Sequence, residues 1–206
     1  MNASSNRQSS RAARGGWRRL LWLLAAPGFL VATGLAQTPP FEWVRAAGGT
    51  SSDQAYAVAV DANTNIYVTG SFAGTAYFGG TNLTTISSAD IFVAKFDSAG
   101  IPVWVRQGGA SDFSAGKSIA VDPSGNVYVT GSFRGTVNFG GGSLTSVNSS
   151  SDVFIVKYSS SGALVWAKRG GAEGGDIGYG IVLDAQGPFS RGNRSCRLRG
   201  FEDSRR

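Results

Sequence analysis

Three tryptophans set the frame for this chain. Trp43, Trp104 and Trp166 stand 61 and 62 residues apart, and Asp61, Asp122 and Asp184 keep the same two spacings. Between these marks the text recurs in order. Trp43-Val-Arg returns as Trp104-Val-Arg and as Trp166-Ala-Lys. Asn65-Ile-Tyr-Val-Thr-Gly-Ser-Phe returns as Asn126-Val-Tyr-Val-Thr-Gly-Ser-Phe. Gly74-Thr-Ala-Tyr-Phe-Gly-Gly returns as Gly135-Thr-Val-Asn-Phe-Gly-Gly, and Asp90-Ile-Phe-Val-Ala-Lys-Phe as Asp152-Val-Phe-Ile-Val-Lys-Tyr. A repeat of this length is one small unit that buries its apolar faces against its neighbours rather than around a core of its own. The units run 41–101 and 102–163. A third starts at Leu164 and keeps the pattern only to Gly187, leaving 188–206 as a tail of different character.

Each unit reads as four short strands. Ala55–Val60, Ile66–Phe72, Asp90–Phe96 and the stretch opening Pro102-Val-Trp-Val-Arg are rich in β-branched and aromatic residues and are separated by turn residues. Gly70 and Gly131 fall inside strands and mark a bend or bulge. No stretch carries an apolar stripe at helical spacing, and Gly, 30 of 206 residues, suits a protein of sheets and turns. The expected fold is therefore all-β. Four-stranded antiparallel sheets at a period of about 61 residues are β-propeller blades, here two complete and a partial third. In their order, the recurring motifs also resemble the SBBP-type (seven-bladed β-propeller) repeat, over Phe41 to Gly187. That resemblance implies a propeller fold in an exported or cell-surface protein, and implies no reaction and no defined site.

The recurrent residues have plain structural uses. Trp43, Trp104 and Trp166 fill the same gap between neighbouring blades, with ligand stacking as the competing use. Asp97-Ser-Ala-Gly100 before Trp104 is similar to the tryptophan-docking repeat of quinoprotein propellers, which implies blade docking; no cofactor constellation accompanies it. Tyr67, Tyr128, Phe92 and Phe154 recur as strand aromatics. Asp61, Asn63 and Asn65 have the alternating oxygens that open a calcium loop, but Ile66 stands where such a loop needs Gly and Phe72 where it needs Glu. Asp61 and Asp122 are better read as turn residues bonding local backbone N–H groups. Asp53, Asp112 and Asp176 follow the Gly-Gly pairs and are candidates to line one face. Lys95 and Lys157 end matching strands as solvated charges.

Charge and catalytic inventory narrow the function. The chain has no His and one Cys, Cys196, so His-based catalysis and an internal disulfide are both ruled out. No metal or cofactor is expected beyond the calcium alternative. The net charge of +6 comes from the ends: residues 37–187 hold eight bases and eleven acids, a net −3. The repeats therefore lack the basic surface that nucleic-acid binding needs. Five arginines precede the apolar run Leu20–Ala36, which ends in small residues, the pattern of a secretory signal over 1–36 with Gln37 as the mature start. An uncleaved anchor is the alternative contact with a membrane. The Arg-rich text after Gly187 breaks the repeat in mid-hairpin and carries no β pattern, as a frameshift or misplaced gene end would, so the chain reads as a fragment. A propeller needs about four to eight blades, so further blades or other protomers must close it. The expected role is an exported, non-enzymatic scaffold or binder of a surface protein or carbohydrate. The alternatives are the first part of a propeller enzyme (lyase, hydrolase or quinoprotein-like) and a lectin-like propeller completed by oligomerisation.

Overall fold

In the computed structural model the described residues are 43–184 and the backbone of a two-residue strand at 202–203. The leader read at 1–36 and most of the basic tail lie outside them. The strands are β1 (Gly48–Gly49), β2 (Asp53–Val60), β3 (Ile66–Phe72), β4 (Thr75–Tyr77), β5 (Asn82–Thr84), β6 (Asp90–Phe96) and β7 (Pro102–Ala110) in the first half. The second half holds β8 (Ser114–Val121), β9 (Val127–Arg134), β10 (Thr136–Asn138), β11 (Ser143–Thr145), β12 (Ser151–Tyr158), β13 (Leu164–Gly170) and β14 (Glu202–Asp203).

Two four-stranded antiparallel meanders result: β2-β3-β6-β7, blade 1, and β8-β9-β12-β13, blade 2. Their strands are those expected from the sequence, with β2 starting two residues earlier and β7 running on to Ala110. The sheets are offset from the sequence units, because the strand opening the second unit completes the first blade. The reading of four strands per unit needs one correction. Each unit also carries a short hairpin, β4-β5 or β10-β11, whose three-residue strands are too short to show period-two alternation between their glycines. The hairpin pairs with the segment that opens its own unit: β10 with Gly109 and Ala110 of β7, and β4 with β1.

The third unit departs further from expectation. Residues 171–184 form no strand, yet they lie along blade 2, held by Gly178 N–H to Gly131 O at 3.2 Å and by Ile181 N–H to Ser118 Oγ at 3.2 Å. A strand needs a ladder partner, and the text that would supply the equivalent of β3 ends at Gly187. In the tail, Glu202–Asp203 pair with Lys168 and Arg169 on the edge of β13.

The core lies between the blades. Tyr67, Ile91 and Val93 of blade 1 pack with Val127, Val129, Phe154, Val156 and Tyr158 of blade 2, all nearly or wholly buried. A smaller cluster, Phe72, Ala76, Phe78, Phe92, Ala94 and Val105, sits under the β4-β5 hairpin on the far face of blade 1. Strand β9 is buried along both faces except at its last residue. That explains why its sequence is apolar or small throughout rather than alternating.

Candidate functional site

The hairpin turns are built by aspartate. Asp61 Oδ1 accepts the N–H groups of Asn63 and Asn65, each at 2.9 Å, and its Oδ2 accepts Asn65 Nδ2 at 2.8 Å and the Tyr67 hydroxyl at 2.9 Å. Asp122 repeats the set with Ser124, Asn126 and Tyr128. The carboxylates are therefore occupied by donors of their own turns, and Asn65 presents its amide N–H to Asp61 rather than an oxygen to a cation. Among the described residues no group of three or more His, Cys, Asp or Glu side chains converges. The residues that follow Asp184, the third of these aspartates in the sequence, lie outside the described ones.

Desolvation pushes the carboxyl of Asp61 upward, but the hydrogen bonds from Asn65, Tyr67 and Asn63 outweigh it and hold the group below its ordinary 3.8. Asp122 behaves likewise through Asn126, Tyr128 and Ser124. Burial, then the bond to Asp61, pushes the Tyr67 hydroxyl up, so it stays a donor. A folded-state pKa below the unfolded one means that the unfolded chain binds more protons, so stability rises with pH across this range. The turns stabilise the fold above about pH 4 and lose that contribution as pH falls through the folded pKa. Melting temperature measured from pH 6 down to pH 2 should fall, and the double variant Asp61→Asn, Asp122→Asn should fall less. An unchanged acid slope in that variant would remove the turns as its source.

One of the three tryptophans joins the two blades. Trp104, on β7 of blade 1, is 8% exposed and donates from Nε1 to Ser160 O in the β12-β13 turn of blade 2 at 3.1 Å. Its ring covers Gly162, whose φ of +80° favours glycine, and a Cβ there would lie 2.8 Å from Trp104 Cδ2. Tyr67 and Tyr158 flank it, each with ring centroids 6.3 Å away. Trp43 makes the same arrangement on Gly100 and donates to Ser98 O at 2.8 Å. Trp166 lies 6.2 Å from Tyr128. Lys95 and Lys157 stand over the Tyr67 and Tyr128 rings at 5.3 and 5.0 Å, so each serves its own blade.

The acids after the Gly-Gly pairs do not gather. Asp53 Oδ2 accepts Gly49 N–H at 2.7 Å, Asp176 accepts Ala172 N–H at 3.2 Å, and Asp112 pairs with Arg134 at 2.9 Å. Sequence reasoning passed over a different pair, Asp90 and Asp152, both wholly buried at the starts of β6 and β12. Asp90 accepts Gln107 Nε2 at 2.6 Å, while Asp152 accepts Arg169 Nη1 at 2.7 Å. In the sequence they are marked by the recurrent Asp before an apolar strand.

Gly70 and Gly131 mark bulges that lie on the opposite strand. The register slips between Ala55 and Ala57 across from Gly70, and between Gly116 and Ser118 across from Gly131. Phe92 is 6% exposed and Phe154 is fully buried. Two further contacts recur in both blades. Thr69 and Thr130 donate their hydroxyls to Phe92 O at 2.8 Å and to Phe154 O at 2.7 Å. Gly116 of the next unit then lies directly on Thr69, and Gly178 on Thr130; a Cβ at either glycine would fall 2.2 Å from the threonine Oγ1.

Repeated four-stranded blades joined by tryptophan and by glycine-on-threonine contacts define a protein of the propeller-repeat class. The comparisons agree. The SBBP β-propeller repeat profile matches residues 42–71 and 103–132, which makes this a propeller-type repeat protein. It is 31% identical over 166 residues to an uncharacterized WD repeat-containing protein of Acanthamoeba polyphaga mimivirus, covering 70% of this chain and 12% of that protein. It is 30% identical over 110 residues to the regulatory protein FlaEY of Caulobacter vibrioides, covering 52% of this chain and 12% of that protein. The chain thus spans about an eighth of the length of each of these relatives.

Proposed function

We propose that this chain is an exported, non-catalytic propeller segment that serves binding or cell-surface scaffolding. One observation carries the reading: the polar residues that recur with the repeat are spent on the fold itself. Asp61, Asp122, Tyr67, Tyr128, Thr69 and Thr130 bond within their own blades, and Trp43 and Trp104 bond to hairpin turns. These eight recurrent side chains are occupied by the fold rather than held out for a catalytic role. Export is supported by the arginines and apolar run ahead of Gln37. No helix among the described residues is long and apolar enough to cross a membrane. Expressing the chain with its own leader in a secreting host tests this. The expected product lies outside the cytoplasm and begins at Gln37 by N-terminal sequencing. A chain that keeps Met1 and stays in the cytoplasm would overturn the reading.

A further inference from the structure

The far face of blade 1 carries an apolar cavity of about 280 Å³ walled by Trp43, Ile66, Val68, Phe78, Phe92 and Phe96. Strand β2 borders it with Val58, 65% exposed. The internal repeat identifies what such a face is for. The same positions on blade 2 include Trp104, Val127, Val129, Phe139, Phe154 and Tyr158, and every one is buried in the core shared with blade 1. Ile119, the counterpart of Val58, is 7% exposed. On blade 2, then, the equivalent hollow is filled by Tyr67, Ile91 and Val93 of its neighbour. Among the described residues only the small β1-β4-β5 sheet lies on this face of blade 1, over Phe78 and Phe92, and no four-stranded sheet covers it. A face this apolar is an interaction surface, and its shape is that of a blade's side.

One difference between this face and its copy bears directly on docking. Where the second and third units carry Gly116 and Gly178, the first carries Ala55. Ala55 pairs with Gly70 as Gly116 pairs with Gly131. At Gly116 and Gly178 a Cβ would sit 2.2 Å from the Oγ1 of Thr69 and Thr130, closer than atoms can approach. Both hydroxyls are tied to buried carbonyl oxygens and are not free to turn aside. Ala55 already has that Cβ. We propose that the open face of blade 1 docks another blade of this same repeat. Ala55 selects one that carries Ala or Gly, with no γ atom, where blades 1 and 2 carry Thr69 and Thr130. The same methyl rejects blade 2 of a second copy, which would otherwise add head to tail.

The test uses the full chain and its self-association, read by light scattering. Gly178→Trp forces residues 171–184 off Thr130 and bares the outer face of blade 2. That single variant should stay monomeric, because Thr130 still meets Ala55 of the next copy. Adding either Thr130→Ala or Ala55→Gly should at least double the mass, and Val58→Asp should return it to monomer. The proposal is overturned if the folded Thr130→Ala, Gly178→Trp variant stays monomeric, or if Gly178→Trp alone associates as strongly. It is equally overturned if the unmodified chain associates through Val58. A second measurement needs no association. Gly116→Ala should lower the melting temperature, and adding Thr69→Ala should raise it again. No loss from the first, or no recovery from the second, removes the steric argument.

Discussion

Gly131→Ala is expected to destabilise the chain by about 3 kcal/mol, the upper range for forcing an extra carbon into a packed interior. A Cβ on Gly131 would lie 2.0 Å from Ala115 O, and 3.0 Å from both Ala115 C and Gly116 Cα. All three are backbone atoms, so no side chain can rotate to make room. Relief requires moving the bulged edge of β8, which also carries the Gly116 contact onto Thr69. At about 2–4 °C per kcal/mol for a chain of this size, the melting temperature should drop by roughly 6–12 °C. Gly70→Ala should act in the same direction through Gln54 O at 1.9 Å. Calorimetry decides the matter, and a shift in Gly131→Ala smaller than about 2 °C would show that the strand yields easily.

Trp104→Ala should cost about 3–5 kcal/mol, as for other buried aromatic truncations. The ring is 8% exposed, lies between Tyr67 and Tyr158, and covers Gly162. Removing it opens a void at the seam between blades, and leaves Ser160 O without its indole donor. Because the residue joins two sheets, the loss falls on their coupling as well as on total stability. Urea unfolding should lose sharpness, with blades 1 and 2 separating into distinct transitions. Trp43→Ala removes the same contact at a more exposed site and should cost less. Equal losses for the two tryptophans would mean that burial at the seam is not what gives Trp104 its weight. Trp104→Phe should recover part of the packing and none of the hydrogen bond.

Much of the architecture could be read from the residues. The repeat period, the four long strands of each blade and the aspartate turns follow from local pattern, because their causes are local. A run such as Ile66–Phe72 prefers the extended backbone wherever it sits. An aspartate such as Asp61 finds its N–H partners within four residues along the chain. The hairpins β4-β5 and β10-β11 were not legible, because three residues are too few to establish a period. Segment 171–184 of the third unit kept its motif, yet it did not become a strand. Strand formation depends on a partner, and the segment's own residues cannot supply one.

The candidate surface divides along the same line. That Trp43 and Trp104 belong between blades follows from recurrence. Which turn each one covers does not, since Trp104 and Gly162 are far apart in sequence and Gly100 lies much nearer to it. That Gly116 recurs as Gly178 is visible in the text, as is the alanine at position 55. The meaning of that difference appears only when the bulge in β8 sets Gly116 against Thr69 of the neighbouring blade. By itself, then, the sequence determined the blade: its period, strands and turns, whose interactions close within one unit. Only the tertiary structure decided the seam between blades and the open face of blade 1. Those rest on contacts between surfaces from different units, and close approach in space leaves no periodic mark along a chain.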